Sequence, residues 1–342
     1  MNNARLSLIL TALLVGLPDV FAEVGQNRGP LGTVEIGATL TALADSSDSV
    51  EVEHGIAFDI YTEVPTRNGA WSVLVEATAH PMSGQDSWKP SQDDEGRLAE
   101  FHYNLRALGG DWWIGLLDSK AYIDGSVVAN DDKEQFLGAP FTNNPSIAIP
   151  ENSLGFAYRR DQGPIAPGYT VLTIAHDTEA AETNSRSAGL FLAAEVFREM
   201  DGTIARLGAW ADSSSHPAVT DYDPVGEQHG LYASLDGQLA GLGWNVRAGT
   251  ARFGASARAS FVSVAAQIPW KQNVLGIAAG HSAHDGSGPT GIAGRSNHLE
   301  IYYRFTALGR FVITPDIQYR QFRGHGGSKG SFSACVRLRI VM

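Results

Sequence analysis

Thr33-Val34-Glu35-Ile36-Gly37-Ala38-Thr39-Leu40-Thr41-Ala42 alternates two kinds of residue along its length. Val34, Ile36, Ala38, Leu40 and Ala42 are apolar, and Thr33, Glu35, Gly37, Thr39 and Thr41 are polar or small. A period of two sustained this far marks a β-strand whose faces meet unlike surroundings. The alternation returns at Glu53–Glu63, where Ile56, Phe58 and Ile60 oppose Asp59, Tyr61 and Glu63. It returns again at Trp71–His80, where Trp71, Val73, Val75 and Ala77 oppose Glu76, Thr78 and His80. At Leu98–Ala107, Phe101, Tyr103 and Leu105 oppose Glu100, His102, Asn104 and Arg106.

Further strands are read at 111–118, 153–160, 168–176, 188–198, 203–212, 228–239, 243–252, 258–267, 273–281, 297–306, 311–321 and 331–342. The total is about 16 strands of about 8–12 residues, the length a tilted strand needs to cross a bilayer. The connections carry independent information. With the first strand counted as upward, those after even strands are short: Leu108-Gly109-Gly110, Met200-Asp201-Gly202, Ala240-Gly241, Pro269-Trp270-Lys271 and Leu308-Gly309. Those after odd strands are mostly long: 81–97, 119–152, 177–187, 213–227 and 282–296. Phe253–Ala257 and Asp161–Pro167 break the sorting. A soluble sandwich has no reason to sort loops by parity; an outer-membrane barrel has tight turns at one end and long loops at the other.

Closure of such a sheet satisfies every backbone group by pairing, so its apolar face can meet acyl chains and its polar face can line water. Trp71, Trp112, Phe311, Tyr319 and Phe332 fall near strand ends, where interfacial aromatic girdles sit. After the first residues no apolar run approaches the roughly 18 residues of a membrane helix. The expected architecture is all-β: a transmembrane antiparallel β-barrel whose long third external loop, 119–152, folds into the lumen and narrows it. Residues 1–22 read as a secretory signal: Arg5, an apolar core from Leu6 to Leu17, and Val20-Phe21-Ala22 before cleavage. Residues 23–342 then form a single domain, placed in the outer membrane of a Gram-negative bacterium.

Composition excludes other classes. A net charge of −12 argues against a nucleic-acid partner. Cys335 is the single cysteine, so neither a disulfide framework nor a cysteine zinc site is expected. The histidines show no ligand spacing, and no Gly-x-Ser-x-Gly elbow occurs; no metal and no cofactor are expected.

Two stretches carry a family likeness. Asn297-His298-Leu299-Glu300-Ile301-Tyr302-Tyr303-Arg304-Phe305, followed by Phe311-Val312-Ile313-Thr314-Pro315-Asp316-Ile317-Gln318-Tyr319, resembles the C-terminal strand pair of carbohydrate-selective porins of the OprB type. Phe141-Thr142-Asn143-Asn144-Pro145 through Pro150-Glu151-Asn152-Ser153-Leu154-Gly155 is similar to that family's loop and following strand. The chain departs from the family in its opening residues, in its length and in ending on Met342 where an aromatic is usual. The resemblance implies a 16-stranded barrel and passive diffusion of sugars. It also suits the third-loop placement of 119–152, since in trimeric porins the third external loop folds inward.

Parity puts Glu76, Glu100, Arg106, Arg159, Glu195, Arg206, Arg247, Arg258, Glu300, Arg304, Asp316, Arg320, Arg337 and Arg339 on the inward face. Guanidinium forks beside carboxylates complement sugar hydroxyls, which both donate and accept. Phe136 and Phe141 offer stacking faces, and Asn143 and Asn144 offer amides. The candidate pore-lining set is therefore Phe136, Phe141, Asn143, Asn144, Arg106, Arg159, Arg206, Arg258, Glu300 and Arg304. The sharpest form is an eyelet between the loop and Arg206, Arg258 and Arg304. The plainer reading is that these charges pair across the lumen and stiffen the wall. Expected partners are small sugars or other polar solutes and outer-membrane lipid, with a homotrimer open as the assembly. A general or cation-preferring pore, a rim enzyme, and a secreted lectin or glycosidase using Glu300 and Asp316 stay open as alternatives.

Overall fold

The computed structural model describes residues 33–45, 51–79, 96–150, 152–179, 186–214, 227–252, 259–285, 293–307, 311–324 and 327–341. The strands are β1 (Thr33–Asp45), β2 (Glu51–Pro65), β3 (Gly69–Ala79), β4 (Gly96–Ala107), β5 (Gly110–Leu117), β6 (Ser153–Arg160), β7 (Gly168–Glu179) and β8 (Arg186–Met200). They continue with β9 (Thr203–Asp212), β10 (Gln228–Leu239), β11 (Leu242–Arg252), β12 (Ser260–Trp270), β13 (Asn273–Asp285), β14 (Ala293–Ala307), β15 (Phe311–Gly324) and β16 (Gly327–Val341). Each pairs antiparallel with its neighbours in sequence, and β1 pairs with β16 from Gly37↔Val341 to Asp45↔Ser333. The sheet is thus a closed barrel with no free edge, which is how an all-β chain removes unpaired backbone donors and acceptors.

The alternation seen in the sequence becomes two faces. Phe58, Ile60, Phe101, Leu192, Leu231, Val262, Val264, Leu299, Ile301 and Ile317 are exposed. The intervening positions, among them Thr39, Ser72, Glu195, Ser234, Asn245, Arg247, Ser263, Glu300, Gln318 and Arg337, are buried. An outer surface this apolar and an interior this polar invert a water-soluble barrel.

The tight end of the barrel is built by turn chemistry. Leu108 and Gly109, Asp201 and Gly202, and Ala240 and Gly241 are consecutive residues with positive φ. That pairing matches the two-residue hairpin turn whose twist suits the flanking strands. The longer 161–167 connection at this end is held together by Arg198, which donates to the carbonyls of Gly163, Pro164 and Ala166 at 3.2, 2.9 and 3.0 Å.

One local feature breaks the parity rule. The β3–β4 register shifts between Leu74 and Val75, so that Glu100 faces Leu74 and Leu98 faces Val75. The extra residue, Ala99, is fully buried, and its carbonyl accepts from Asn152 Nδ2 at 2.6 Å. A bulge of this kind re-aims the side chains on either side of it. Residues 1–22, Arg258, Met342 and parts of the long external connections lie outside the described residues.

Candidate functional site

The segment 118–152, which joins β5 to β6, makes its contacts with inward-pointing side chains of many strands. Two wall carboxylates hold it by backbone N–H groups. Glu195 on β8 accepts from Asp124 N at 2.8 Å, and Glu300 on β14 accepts from Leu137 N at 2.5 Å and Gly138 N at 2.8 Å. Two wall arginines hold it by carbonyls. Arg247 on β11 donates to Phe141 O at 3.1 Å, Asp124 O at 2.8 Å and Asn130 Oδ1 at 2.9 Å, while Arg337 on β16 donates to the carbonyls of Asp132 and Gln135. Arg247 also pairs with the Asp124 carboxylate at 3.1 Å. Burial holds that carboxyl above the ordinary aspartate range, and Arg247 offsets only part of the rise. Trp210 Nε1 donates to Ser146 O at 3.1 Å, and Gln267 Nε2 donates to Val128 O at 2.9 Å.

Apolar packing supports these bonds. Ile123, Ile147 and Ala148 of the segment cluster with Leu172, Ile174, Phe191, Trp210 and Tyr232 of the wall. Val128, Ala129, Phe136 and Phe141 cluster with Ala265, Ala278 and Tyr302. The one α-helical turn described in the segment, α1 (Ala139–Thr142), has a proline in its first turn, where the missing N–H costs nothing.

The turn 131–135 presents charge. Asp131 Oδ1 accepts from the backbone N–H of Lys133 at 2.7 Å and of Glu134 at 3.2 Å, and Gln135 N closes the turn on Asp131 O at 2.9 Å. Two consecutive residues of opposite sign then reach different walls. Lys133 Nζ lies 3.3 Å from Asp59 on β2 and 3.3 Å from Glu76 on β3. Glu134 lies 3.2 Å from Arg304 on β14 and 3.3 Å from Arg339 on β16. Arg97 on β4 joins Glu76 at 3.2 Å, and Arg339 stands 3.9 Å from Asp59. The result is a continuous chain of alternating sign: Arg97, Glu76, Lys133, Asp59, Arg339, Glu134, Arg304. Burial pulls the Lys133 ammonium down, but Asp59, Glu76 and Asp132 outweigh it, and the group sits above its ordinary range and stays charged. Side chains of Arg97 and Glu134 are 39 % exposed and those of Glu76 and Lys133 are 26 % exposed, whereas Arg247 is at 0 % and Glu195 at 4 %. The charges thus grade from a dry set around Arg247 and Glu195, through Asp59 and Arg339 at 14 %, to the wetter Glu76, Lys133, Arg97 and Glu134.

The sequence-derived candidates fall on both sides of that division. Glu300 and Arg304 both reach the segment. Arg206 pairs with Asp236 and stands 3.8 Å from Glu195, so it stays within the wall. Phe136 and Phe141 are buried, packed on each other and edge-on to Tyr302 and His298 respectively, with their faces turned from solvent. Asn144 is buried, and its Oδ1 accepts from Ser146 N and Oγ at 3.1 and 2.6 Å; Asn143 is half-buried beside it. Arg106 is exposed opposite Asp111, and Arg159 lies 4.5 Å over the Phe197 ring and 3.8 Å from Asp161, both next to the short turns. Arg258 lies outside the described residues. Asp59, Lys133, Glu134 and Arg97 were absent from the candidate set. Asp59 stood on the polar face of its strand and the next two within the long loop, but nothing in the spacing joined them.

Two arrangements bear on catalysis. Glu300 and Asp316 are both buried, and Glu300 spends its oxygens on the Leu137 and Gly138 amides. His176, Asp212 and Ser214 meet near one rim, with Asp212 Oδ1 accepting from Ser214 Oγ at 2.8 Å and lying 3.1 Å from His176 Nε2. The Ser214 hydroxyl thus donates to the carboxylate, whereas a catalytic triad has the serine donate to the imidazole.

A closed, apolar-out, polar-in barrel of sixteen antiparallel strands, with its longest described connection after the fifth, has the fold of outer-membrane porins. Solved structures agree. OprB of Pseudomonas putida superposes with a TM-score of 0.68 at 10 % identity, covering 90 % of this chain and 93 % of its own. The outer membrane channel DcaP of Acinetobacter baumannii gives 0.59 at 12 % identity, covering 93 % and 100 %. OmpT, an outer membrane protein of Vibrio cholerae in trimer form, gives 0.58 at 11 % identity, covering 91 % and 99 %. No family model matches the chain, and no curated sequence does.

Proposed function

We propose that this chain is a porin of the Gram-negative outer membrane, exported by its residues 1–22 and folded as one barrel over 23–342. Small polar solutes, sugars among them, diffuse through a lumen narrowed by the segment 118–152. The observation that carries this reading is the contact pattern of that segment. It bonds inward side chains of β2, β3, β8, β11, β12, β14 and β16, walls that surround a closed barrel. A segment touching all of them crosses the lumen. Water then passes beside the wetter charge chain, where alternating donors and acceptors suit hydroxyl-bearing solutes.

A second reading, a general pore without sugar selectivity, is favoured by the burial of Phe136 and Phe141. Rings packed into the wall offer no platform to a pyranose. An assembly of three copies fits either reading, in line with the trimeric V. cholerae neighbour. Planar-bilayer recording of the refolded mature chain decides the matter. Discrete conductance steps are expected, and their interruption by maltose or glucose marks sugar selectivity. Steps indifferent to both sugars favour the general pore, and a folded barrel that conducts nothing overturns both.

A further inference from the structure

Beyond the pore itself, the turn 131–135 holds a side chain whose place is unusual. Lys133 is a cation of the segment, yet it sits equidistant, at 3.3 Å, from two wall carboxylates on adjacent strands. Its backbone is fixed by Asp131, so the ammonium is delivered to a set position rather than wandering on a loose tip. The groups around it are wetter than the pairs that grip the rest of the segment: Lys133 and Glu76 are each 26 % exposed and Asp59 is 14 % exposed, against 0 % for Arg247 and 3 % for Asp124.

We propose that Lys133 determines the charge selectivity of the pore. Its ammonium occupies the point between Asp59 and Glu76 that a permeating cation would otherwise take, acting as a tethered counter-ion. The tether gives it a high effective concentration there, so free cations compete poorly. Neutral and anionic solutes meet a neutralised wall. This inference rests on the pore reading above. It also opposes the expectation that a chain of net charge −12 favours cations, because the charge that matters is the one at the narrow level and not the sum over the molecule.

The neighbours explain why the effect belongs to this residue. Glu76 has a second cation in Arg97 at 3.2 Å, and Asp59 has only the more distant Arg339 at 3.9 Å among the described ion pairs. Without Lys133, Asp59 therefore loses its nearest positive charge and half of the Glu76 carboxylate is released. One uncompensated unit charge at contact distance in water is worth about a fivefold change in local cation occupancy.

The test is the reversal potential of single channels in a tenfold KCl gradient, recorded for the full mature chain and for K133Q, K133R and K133Q/D59N. K133Q is expected to raise the potassium-over-chloride permeability ratio about fivefold. K133R, which keeps the charge, is expected to stay at the parent value, and the double variant, which loses one charge of each sign, to return to it. Block of K133Q by a small diamine such as 1,4-diaminobutane, weak or absent in the parent, is expected to accompany the shift. Heat-modifiable migration of each variant shows that it has folded. A folded, conducting K133Q with the parent's reversal potential overturns the role of Lys133 and leaves the pore standing. A parent chain that folds but never conducts overturns the pore, and the selectivity with it.

Discussion

Arg247 shows what an inward charge does in this barrel. Its guanidinium serves the carbonyls of Phe141 and Asp124, the amide of Asn130 and the Asp124 carboxylate, all from a site with no exposure to solvent. An arginine suits this task because its fork supplies several fixed donors and cannot be deprotonated. Three of those acceptors are main-chain or amide oxygens, so the grip reads the path of the segment more than its side chains. Truncation in R247A leaves Asp124 buried without its counter-charge, a change that costs about 3–5 kcal/mol. That cost falls on the segment and not on the strand ladders. R247A is expected to keep its heat-modifiable migration, to show a larger and noisier conductance, and to lose 118–152 to protease faster than the parent does. R198A is the matching control, since Arg198 only ties the 161–167 turn at the other end. Conductance is expected to be unchanged in R198A, and equal behaviour of the two variants would mean that Arg247 stiffens the wall without positioning the segment.

The strands were legible because a period of two is imposed by geometry, and a barrel with unlike surroundings on its two faces writes it plainly, as at Val34–Ala42 or Leu299–Ile301. Sorting of connections by parity gave the order of the strands and put 119–152 after the fifth. Less was legible in the site. Parity says which way a side chain points; it says nothing of its height or of what stands opposite. Arg106, Arg159 and Arg206 share a face with Arg247, yet only Arg247 reaches the segment; the first two lie by the short turns and the third is spent on Asp236. The bulge at Ala99 shifts parity within β4 and has no signal in the alternation. Docking of the segment on β11 is the element-level claim most open to direct test. A Cβ built on Gly249 meets Ser146 at Oγ, and lies 3.1 Å from Ser146 Cβ. Disulfides favour a Cβ separation of about 3.8 Å, so a shift of less than an ångström brings a cysteine pair into range. In a C335S background, which removes the one buried native thiol, G249C/S146C is expected to cross-link on mild oxidation and to resist release of the segment by protease. Failure to cross-link in a folded barrel would mean that 144–146 does not rest on β11.

At the scale of the molecule, the strand ladders and the contacts of the segment 118–152 are separable. Closure depends on β1 meeting β16, and the register covers Gly37–Asp45 of one and most of the other. A chain cut after Gly324 leaves both β1 and β15 with an unpaired edge, and in hydrocarbon each unmatched backbone group costs several kcal/mol. No side-chain contact offsets a loss repeated along two strands. Such a chain is expected to give no heat-modifiable band and to aggregate in detergent, with recovery when a peptide of residues 327–342 is supplied during refolding. Replacing 120–150 by a short turn does the opposite. It removes none of the interstrand pairs, since β5 and β6 keep their register from Asp111↔Arg159 to Leu117↔Ser153. It does strip partners from Glu195, Arg247, Glu300 and Arg337, which water in an opened lumen can then solvate. That variant is expected to fold, to melt at a lower temperature than the parent, and to conduct several-fold more current per channel, in proportion to the cross-section released. If the shortened chain instead conducts as the parent does, the segment does not set the width of the pore, and the constriction has to be sought among the wall side chains themselves.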